Sequence, residues 1–275
     1  MIKHLLSLVM IALVATALSA CGAKQYPEPE DPVRDAETLL ANIEQRGAEI
    51  QRARVRAVME YFGAEGRVRV RQTLLVQQPG DLRLETMSPF DSTLALVVSN
   101  ADELTYYDLA NEKVYSGRPT AENLAKLIPL WLAPADIVDV VLGGVPLRRV
   151  DHELTSWKLT WDSKRNAWKL FGRGLTGGQL ELFVRHGTWS LAGAREVDRE
   201  GKLQWEIRTA DFRTVGDGEV QTEVPSRIRF LMPSESLDVS LNVSEYELNP
   251  ELDEMLFEVF TPDLEIIPLD GTNGL

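Results

Sequence analysis

The feature that most constrains the fold of this chain is an alternation of apolar and polar residues within short segments. It is clearest in residues 236–246, where Leu237, Val239, Leu241 and Val243 alternate with Asp238, Ser240, Asn242 and Ser244. A period of two residues is typical of a β-strand with one buried face and one face in water. Further strand signals lie in residues 55–62, 68–76, 82–87, 93–99, 103–108, 113–116, 157–161, 167–171, 179–184, 194–198, 203–212 and 226–232. The sequence therefore predicts a mainly β protein.

Short turn signals separate the predicted strands in the first half of the chain. Gly63-Ala64-Glu65-Gly66 joins the first two strands, and Pro79-Gly80-Asp81 precedes the third. Polar turns follow at residues 100–102 and 110–112. Short connections of this composition join neighbouring antiparallel strands. We therefore expect an antiparallel meander.

Three segments have the apolar spacing of helices. They are residues 35–54, 121–128 and 134–142, and Pro134 suits the first position of a helix. Helices gathered in few places are natural cover for the apolar face of a large sheet. We predict a mainly β (α+β) fold, an incomplete antiparallel β-barrel of about 11 strands with short helices covering the concave apolar face. No Gly/Ser linker divides residues 35–275, so we expect one domain.

The N-terminus has the organisation of a secretory signal. Lys3 precedes an apolar stretch, residues 5–18, that is too short to cross a bilayer, and Leu18-Ser19-Ala20 comes directly before Cys21. We therefore expect residues 1–20 to be removed as a signal peptide. Leu-Ser-Ala-Cys resembles the bacterial lipobox. This resemblance implies that Cys21 becomes the acylated N-terminus of an exported lipoprotein.

The segment after the signal, residues 21–34, is predicted to be a flexible tether, because it is polar and contains three prolines. In enterobacteria, an Asp directly after the Cys commonly retains a lipoprotein at the inner membrane. Gly22 and Ala23 stand there in this chain, so the same resemblance implies the periplasmic face of the outer membrane. Cys21 is the only cysteine, which excludes an intrachain disulfide and a Cys-based metal cluster.

The charge of the chain limits its partners. The formal net charge is −13, and removal of residues 1–20 takes away only Lys3 and leaves −14. An acidic surface argues against binding of nucleic acid and against electrostatic docking on anionic lipid. Contact with the membrane is therefore expected through the N-terminal acyl chains.

Patterns of catalytic or metal-binding residues are weak. Beyond the signal only His152 and His186 remain, no His/Asp/Glu spacing is typical of a metal site, and no Ser has a nucleophile elbow around it. The Gly-rich residues 172–178 lack the Lys-Ser or Lys-Thr of a phosphate-binding loop, which favours a hairpin loop. We predict a protein without enzymatic activity, metal or cofactor.

The order of elements between residues 82 and 146 resembles the outer-membrane lipoprotein receptor family LolB. That family has a strand, a loop of the Asn-Pro-Leu-Gly-Ser type, a second strand, an aromatic residue on the next hairpin, a short helix and a Leu-Gly-x-Pro-like turn. The matching segments are Ser88-Pro89-Phe90-Asp91-Ser92, Val114-Tyr115 and Leu142-Gly143-Gly144-Val145-Pro146. Residues 224–227, 248–250 and 257–262 are more similar to the carrier family LolA.

The resemblance implies an apolar cavity that receives the acyl chains of lipoproteins without a chemical reaction. It also implies that Pro89 and Phe90 form a membrane-inserting loop, because Phe90 matches an exposed leucine of the family. The family's Leu-Gly is replaced here by Phe90-Asp91, and an acidic neighbour opposes insertion. From its residues alone the loop allows a second arrangement, in which Phe90 is tucked against its own domain.

Candidates for the cavity wall are alternating apolar side chains of the early strands, together with three side chains of the helical cover. They are Val68, Val70, Leu82, Leu84, Leu94, Leu96, Leu104 and Tyr106, with Leu127, Trp131 and Leu132 from the cover. Each of them can equally be packed core. Trp157, Trp161, Trp168, Trp189 and Trp205 are predicted to be strand core or rim, because no polar cluster accompanies them.

Two functions are open on this sequence. The first is an outer-membrane lipoprotein that binds the acyl chains of lipoproteins or another lipid cargo, receives them from a periplasmic LolA-like carrier, and helps to place them in the membrane. The alternative is a non-catalytic interaction or scaffold lipoprotein of an envelope assembly, with the same fold and a filled core. The presence or absence of a bound lipid distinguishes the two.

Overall fold

The computed structural model describes residues 24–63, 66–90, 92–153, 155–216, 221–260 and 264–271. The predicted signal peptide, Cys21 and Asp91 lie outside the described residues. Three α-helices are present in the described part, α1 (Ala36–Glu49), α2 (Ala121–Ala125) and α3 (Pro134–Val141), and short 3₁₀ helices lie at Leu147–Arg149, Pro233–Glu235 and Glu254–Phe257. None of them combines the length and the apolar composition that crossing a bilayer requires.

The remaining elements are strands of one sheet. They are β1 (Arg52–Gly63), β2 (Gly66–Gln77), β3 (Asp81–Met87), β4 (Thr93–Ser99), β5 (Leu104–Asp108), β6 (Lys113–Gly117), β7 (Lys158–Asp162), β8 (Ala167–Arg173), β9 (Gln179–Arg185), β10 (Leu191–Val197), β11 (Leu203–Val215), β12 (Thr222–Met232), β13 (Leu237–Leu248) and β14 (Ile266–Pro268). Their spatial order is β14-β6-β5-β4-β3-β2-β1-β13-β12-β11-β10-β9-β8-β7. The prediction of a mainly β, incomplete barrel is confirmed, with 14 strands in the described residues where about 11 were expected.

The sheet consists of two meanders joined through the antiparallel pair of β1 and β13. All neighbouring strands are antiparallel except β14, which runs parallel to β6. Within the described residues β7 and β14 form the two lateral edges and do not pair with each other, so the barrel is open. The predicted helix over residues 35–54 ends earlier than expected. Residues from Arg52 onward pair with β2 as a strand, and Ala53 lies opposite Val76.

Because neighbouring strands alternate in direction, the turns form two rims. The hairpin rim carries the turns β1–β2, β3–β4, β5–β6, β8–β9, β10–β11 and β12–β13. The α1 rim carries the turns β2–β3, β4–β5, β7–β8, β9–β10 and β11–β12, and α1 leads directly into β1 there. These two rims differ in how they are covered.

A continuous apolar core fills the inner face of the sheet and includes side chains from both meanders. Helix α1 contributes Leu39 and Ile43, and α3 is buried on nearly all sides, with Val138 and Val141 in the core. Full burial of a side chain of this size stabilises the fold by roughly 1.5–3 kcal/mol. The inner face is therefore the main source of stability, and the helices are its cover.

A smaller apolar cluster lies on the outer face of the first meander. It consists of Leu75, Leu96, Val98 and Phe257. Phe257 belongs to the C-terminal segment, which crosses this face before it reaches β14. The side chain of Arg83 donates to the carbonyl of Leu256 at 3.1 Å and fixes the segment to the sheet. The early strands are thus covered on both faces.

The described part of the segment predicted as a tether packs against the α1 rim. The backbone N–H of Tyr26 donates to the carbonyl of Ser163 at 2.8 Å, and Trp161 Nε1 donates to the carbonyl of Tyr26 at 3.1 Å. Farther along, Val33 is buried in the inner core. Residues 24–33 therefore have fixed contacts with the domain in this structure.

Candidate functional site

An apolar cavity of about 70 Å³ lies between the inner face of the sheet and the helical cover. Its wall on the sheet side comes from β1, β2, β3, β11, β12 and β13, and its wall on the cover side comes from residues 128–132 and α3. Every lining side chain is aliphatic, a methionine or a phenylalanine. A cavity of this composition stays dry and accepts only apolar groups.

The position of α3 follows from its polar face. Pro134 begins the helix, and the buried carboxylate of Asp136 pairs with Arg149 at 3.0 Å. One turn later, Asp139 pairs with Arg148. These two ion pairs hold the polar side of α3 toward residues 148–149, which leaves the side with Val140 facing the cavity. Alternation of polar and apolar residues along a short helix thus sets which groups line the cavity.

Asp139 is an unusual group in this arrangement. Burial raises the pKa of its carboxyl to about 6, although the neighbouring Arg148 and an N–H donated by Gln78 at 3.2 Å act in the opposite direction. The desolvation of the charged form is the larger effect. The carboxyl therefore begins to take up a proton at a pH only slightly below neutral.

The predicted wall residues lie in different parts of the structure. Leu84 and Leu132 line the cavity. Leu82, Leu104 and Tyr106 lie on the inner face and Leu127 lies in the cover, and all four belong to the packed core around the cavity. Val68 and Val70 lie on the inner face at the hairpin rim, where Val68 is exposed. Trp131, on the cover segment, is also partly exposed.

The assignment of Leu94 and Leu96 to the cavity wall is wrong. In β4 it is Val97 that lies opposite Leu84 and Tyr106, so the intervening residues of this strand point to the outer face. Leu96 packs there in the outer cluster, and Leu94 is 40% exposed. The error arises because β4 is apolar on both faces, and a period of two residues then no longer indicates which face is inside.

The sequence analysis missed the part of the wall that comes from the second meander. Ile207, Ile228, Phe230, Val239 and Leu241 all line the cavity. The signal was present, because β12 and β13 alternate regularly, and this alternation places Ile228 and Phe230 on the same face as Val239 and Leu241. The alternation could not show that the two meanders face each other across one cavity.

The loop with Phe90 projects from the hairpin rim. The hydroxyl of Ser88 accepts from the backbone N–H of Phe90 at 3.1 Å, and Arg71 donates to the carbonyl of Ser88 at 2.7 Å. With the loop backbone fixed in this way, Pro89 is exposed and Phe90 is 92% exposed. The arrangement in which Phe90 is tucked against its own domain does not occur in this structure.

The opposite rim is closed around Arg46 of α1. This buried guanidinium donates through Nη2 to the carbonyl of Leu142 at 2.8 Å, just after the last turn of α3. Burial lowers the pKa of Arg46 to about 10. A cation at the C-terminus of a helix is favourable, since the last carbonyls lack partners within the helix. Arg46 thus joins α1 to α3.

Three open clefts beside α1 are larger than the cavity, with volumes of about 440 Å³, 760 Å³ and 590 Å³. All three include charged side chains, and the largest has Glu44, Asp139 and Arg148 in its lining. An apolar ligand there would take these charges out of water, which is costly. We therefore place the candidate site in the smaller, wholly apolar cavity. In the described part of the chain no three His, Cys, Asp or Glu side chains are placed to hold a metal ion.

No protein-family profile matches this chain, and no curated protein does. Solved structures do match. A DUF1329 family protein from Desulfovibrio piger superposes with a TM-score of 0.58 at 16% identity, over 80% of this chain and 95% of that chain. A domain described as an outer membrane lipoprotein-sorting protein from Vibrio parahaemolyticus gives a TM-score of 0.56 at 17% identity, over 81% and 97% of the two chains.

A LolA superfamily protein from Nitrosomonas europaea gives a TM-score of 0.53 at 12% identity, over 82% of this chain and 99% of that chain. The chain has the LolA-like incomplete-barrel fold. Identities this low establish the fold alone, because one fold can serve several functions. None of these three structures is named as a LolB protein, so the finer resemblance of residues 82–146 to LolB stays a prediction.

Proposed function

We propose that this protein is a lipoprotein, anchored through acylated Cys21 at the periplasmic face of the outer membrane, that binds the acyl chain of a lipoprotein or of another lipid in its inner cavity. The function is binding and transfer and needs no catalytic group. Expected partners are the membrane, the acylated cargo and a periplasmic LolA-like carrier. The names of two structures with the same fold, a lipoprotein-sorting domain and a LolA superfamily protein, support this class of function.

The observation that carries the proposal is the wholly apolar lining of the cavity. A filled core has no need of a void, and a void of this kind costs stability because its lining loses contacts. An acyl chain that entered would restore those contacts and leave water. Hand-over between two such cavities then needs only a small difference in free energy and no energy source.

The volume of about 70 Å³ requires the cover to move before a ligand enters, because sites for small molecules occupy about 300–1,000 Å³. The segment between α2 and α3 can supply that space. Its apolar side chains Ile128 and Leu130 are only half buried, and Trp131 is partly exposed. Outward displacement of these residues would join the cavity to the solvent-exposed end of the inner face.

The narrow cavity also favours the second candidate, an interaction or scaffold lipoprotein with an essentially filled core. In that case the exposed hairpin rim, and Phe90 in particular, would dock a protein partner and no lipid would bind. The two candidates differ in a single measurable property, which is stoichiometric binding of an acyl chain.

The experiment uses a soluble form that starts at Lys24 and a fluorescent fatty acid, together with mass spectrometry of lipid that purifies with the protein. We expect one fatty acid per chain, and Val140→Phe should abolish binding because the added ring fills the cavity. Val98→Phe is the matched control. Val98 is as buried as Val140, at 3% exposure each, but lies in the outer cluster, so the control carries a similar overpacking cost of roughly 1–3 kcal/mol.

Equal loss of binding in the two variants would show that destabilisation, and not filling of the cavity, is responsible. Absence of any bound acyl species in the unmodified protein would reject lipid binding and leave the scaffold function.

A further inference from the structure

We infer that the α1 rim faces the membrane that holds the acyl anchor, and that the mouth of the cavity and the Phe90 loop face away from it. The inference rests on the acylation of Cys21 proposed above and adds a direction to the binding function. In this orientation, exchange of the acyl ligand takes place with a soluble carrier on the aqueous side and not with the anchoring bilayer.

The N-terminal segment is attached to the α1 rim by hydrogen bonds. Tyr26 forms one backbone hydrogen bond with Ser163, in the β7–β8 turn, and accepts a second from Trp161 Nε1. Five residues later, Asp31 accepts from His186 Nε2 at 3.1 Å, next to the β9–β10 turn. Both turns belong to the α1 rim. The chain is therefore fixed to this rim at two points before α1 begins.

An aromatic cluster supports this seat. The rings of Trp161 and Trp168 meet edge-on with centroids 5.1 Å apart, and Trp168 Nε1 donates to His186 Nδ1 at 3.1 Å. His186 in turn packs edge-on against Trp189 at 5.2 Å. The donors that hold Tyr26 and Asp31 are thus themselves held by packing. This makes the α1 rim a rigid platform for the N-terminal segment.

The length of the chain between Cys21 and Tyr26 limits how far the α1 rim can lie from the membrane. Tyr26 comes five positions after Cys21 in the chain, and a fully extended chain spans at most about 3.6 Å per residue. Tyr26 therefore lies within about 18 Å of an acylated Cys21, and hence of the lipid head groups. The seven residues of β8 lead from this rim to the hairpin rim over roughly 23 Å. The anchor thus keeps the α1 rim at the membrane.

The opening of the cavity, called its mouth here, lies toward the hairpin rim. Phe230 and Val239, which line the cavity, lie a few residues from the β12–β13 turn of the hairpin rim. Beyond them on the inner face, Tyr61 and Val68 remain partly or well exposed. At the other end, α1 covers the inner face with fully buried side chains. Among the described residues, the way into the cavity is therefore past the hairpin rim or beneath the adjoining cover segment.

The hairpin rim has the surface that such an exchange needs. Phe62, Phe90 and Leu175 are exposed apolar side chains on three of its hairpins. Transfer of an acyl chain between two proteins requires that their apolar mouths meet, so that the chain does not cross water. The partner that fits this rim is a carrier with an apolar mouth of its own.

The test uses the full mature lipoprotein in vesicles of phosphatidylethanolamine and phosphatidylglycerol. Acylation consumes the thiol of Cys21, the only cysteine, so a thiol-reactive fluorophore labels an introduced cysteine alone. Lys164→Cys places the label at the α1 rim, and Phe90→Cys and Leu175→Cys place it at the hairpin rim. The readout is quenching by lipids that carry a nitroxide in the head group.

We expect position 164 to lose most of its fluorescence and positions 90 and 175 to lose none. Trp161→Phe, which removes the donor to Tyr26, should reduce the loss at position 164. Quenching at position 90 or 175 as strong as at position 164, or no quenching at any position, would overturn the orientation. Fatty-acid binding by the soluble form is measured separately, so a protein that is oriented but binds no fatty acid loses only the binding function.

Discussion

The two rims of this barrel are built from strands of similar length but differ in how the inner face is covered. At the α1 rim, a helix, the N-terminal segment and the buried guanidinium of Arg46 cover the inner face. At the hairpin rim, the same sheet ends in turns, and apolar side chains such as Phe90 and Val68 are left in solvent. The α1 rim buries its apolar side chains within the protein, whereas the hairpin rim leaves apolar side chains exposed.

This difference teaches where stability and function reside in the fold. Buried contacts at the α1 rim stabilise the protein, whereas exposed apolar surface at the hairpin rim contributes little to folding and is available for binding. Substitutions at the two rims should therefore separate the free energy of unfolding from ligand transfer. The expectations below test that separation.

The largest effect is expected for Leu39→Ala in α1. Leu39 is fully buried, at 0% exposure, so the substitution should reduce the free energy of unfolding by about 2–5 kcal/mol. Leu175→Ala at the hairpin rim is the matched control. Its side chain is 68% exposed, and the change should stay within about 0.5 kcal/mol. Urea denaturation followed by tryptophan fluorescence measures both values, and similar losses in the two variants would contradict the comparison.

A smaller effect is expected from the protonation of Asp139. Because burial raises its pKa to about 6 in the folded protein, from an ordinary value of 3.8, the folded state binds a proton more readily than the unfolded state. The contribution to stability is therefore complete below pH 4, and it is lost as the pH rises through 6. At about 1.4 kcal/mol per pKa unit, the difference is on the order of 2–3 kcal/mol.

Asp139→Asn should remove this part of the pH dependence. The measurement is the free energy of unfolding of the parent protein and the variant at pH 4.5 and pH 7.5. The parent should gain more stability than the variant on acidification. Identical slopes would show that the carboxyl of Asp139 titrates alike in the folded and unfolded chains.

The smallest effect on stability is expected for Phe90→Glu, which should change the free energy of unfolding by less than about 0.5 kcal/mol. The substitution should instead change the rate of ligand transfer. Loss of the apolar contact with the carrier, worth about 2–3 kcal/mol, should slow the movement of a fluorescent fatty acid from the soluble form to a periplasmic LolA-like carrier. Met255→Glu is the control, since Met255 is also exposed but lies on the C-terminal segment. Equal transfer rates for Phe90→Glu and the parent would remove the loop from the mechanism.

Much of the fold could be predicted from the sequence because its strands are half-buried. Alternation in β13 and turn residues such as Pro79-Gly80-Asp81 are local features, and each strand signal corresponds to a strand of the sheet. The position of Phe90 in a loop between two strands was also predictable, but its residues alone left open whether the side chain is exposed or tucked against the domain. Local pattern was sufficient wherever one face meets water.

The remainder depends on contacts between distant segments. The C-terminal segment covers Leu96 from the outer face, and the spacing of apolar residues in β4 does not indicate this contact. Likewise, the carbonyl that accepts from Arg46 is 96 residues away in the chain, and the seat of Tyr26 is built by Trp161. Such pairs have no sequence signal of their own, so the contacts that cover the α1 rim could be found only from the structure.

The placement of the two chain ends has a consequence for self-association. An open sheet exposes unpaired backbone groups along both lateral edges, and such edges recruit strands from other molecules. Here β14 pairs with β6 along one edge, and Tyr26 bonds to the chain just after β7 at the other. The C-terminal segment thus replaces the five-residue edge of β6 with the three-residue edge of β14, and the N-terminal segment forms a hydrogen bond at one end of the β7 edge. Short edges of this kind offer little unpaired backbone to a strand of another molecule.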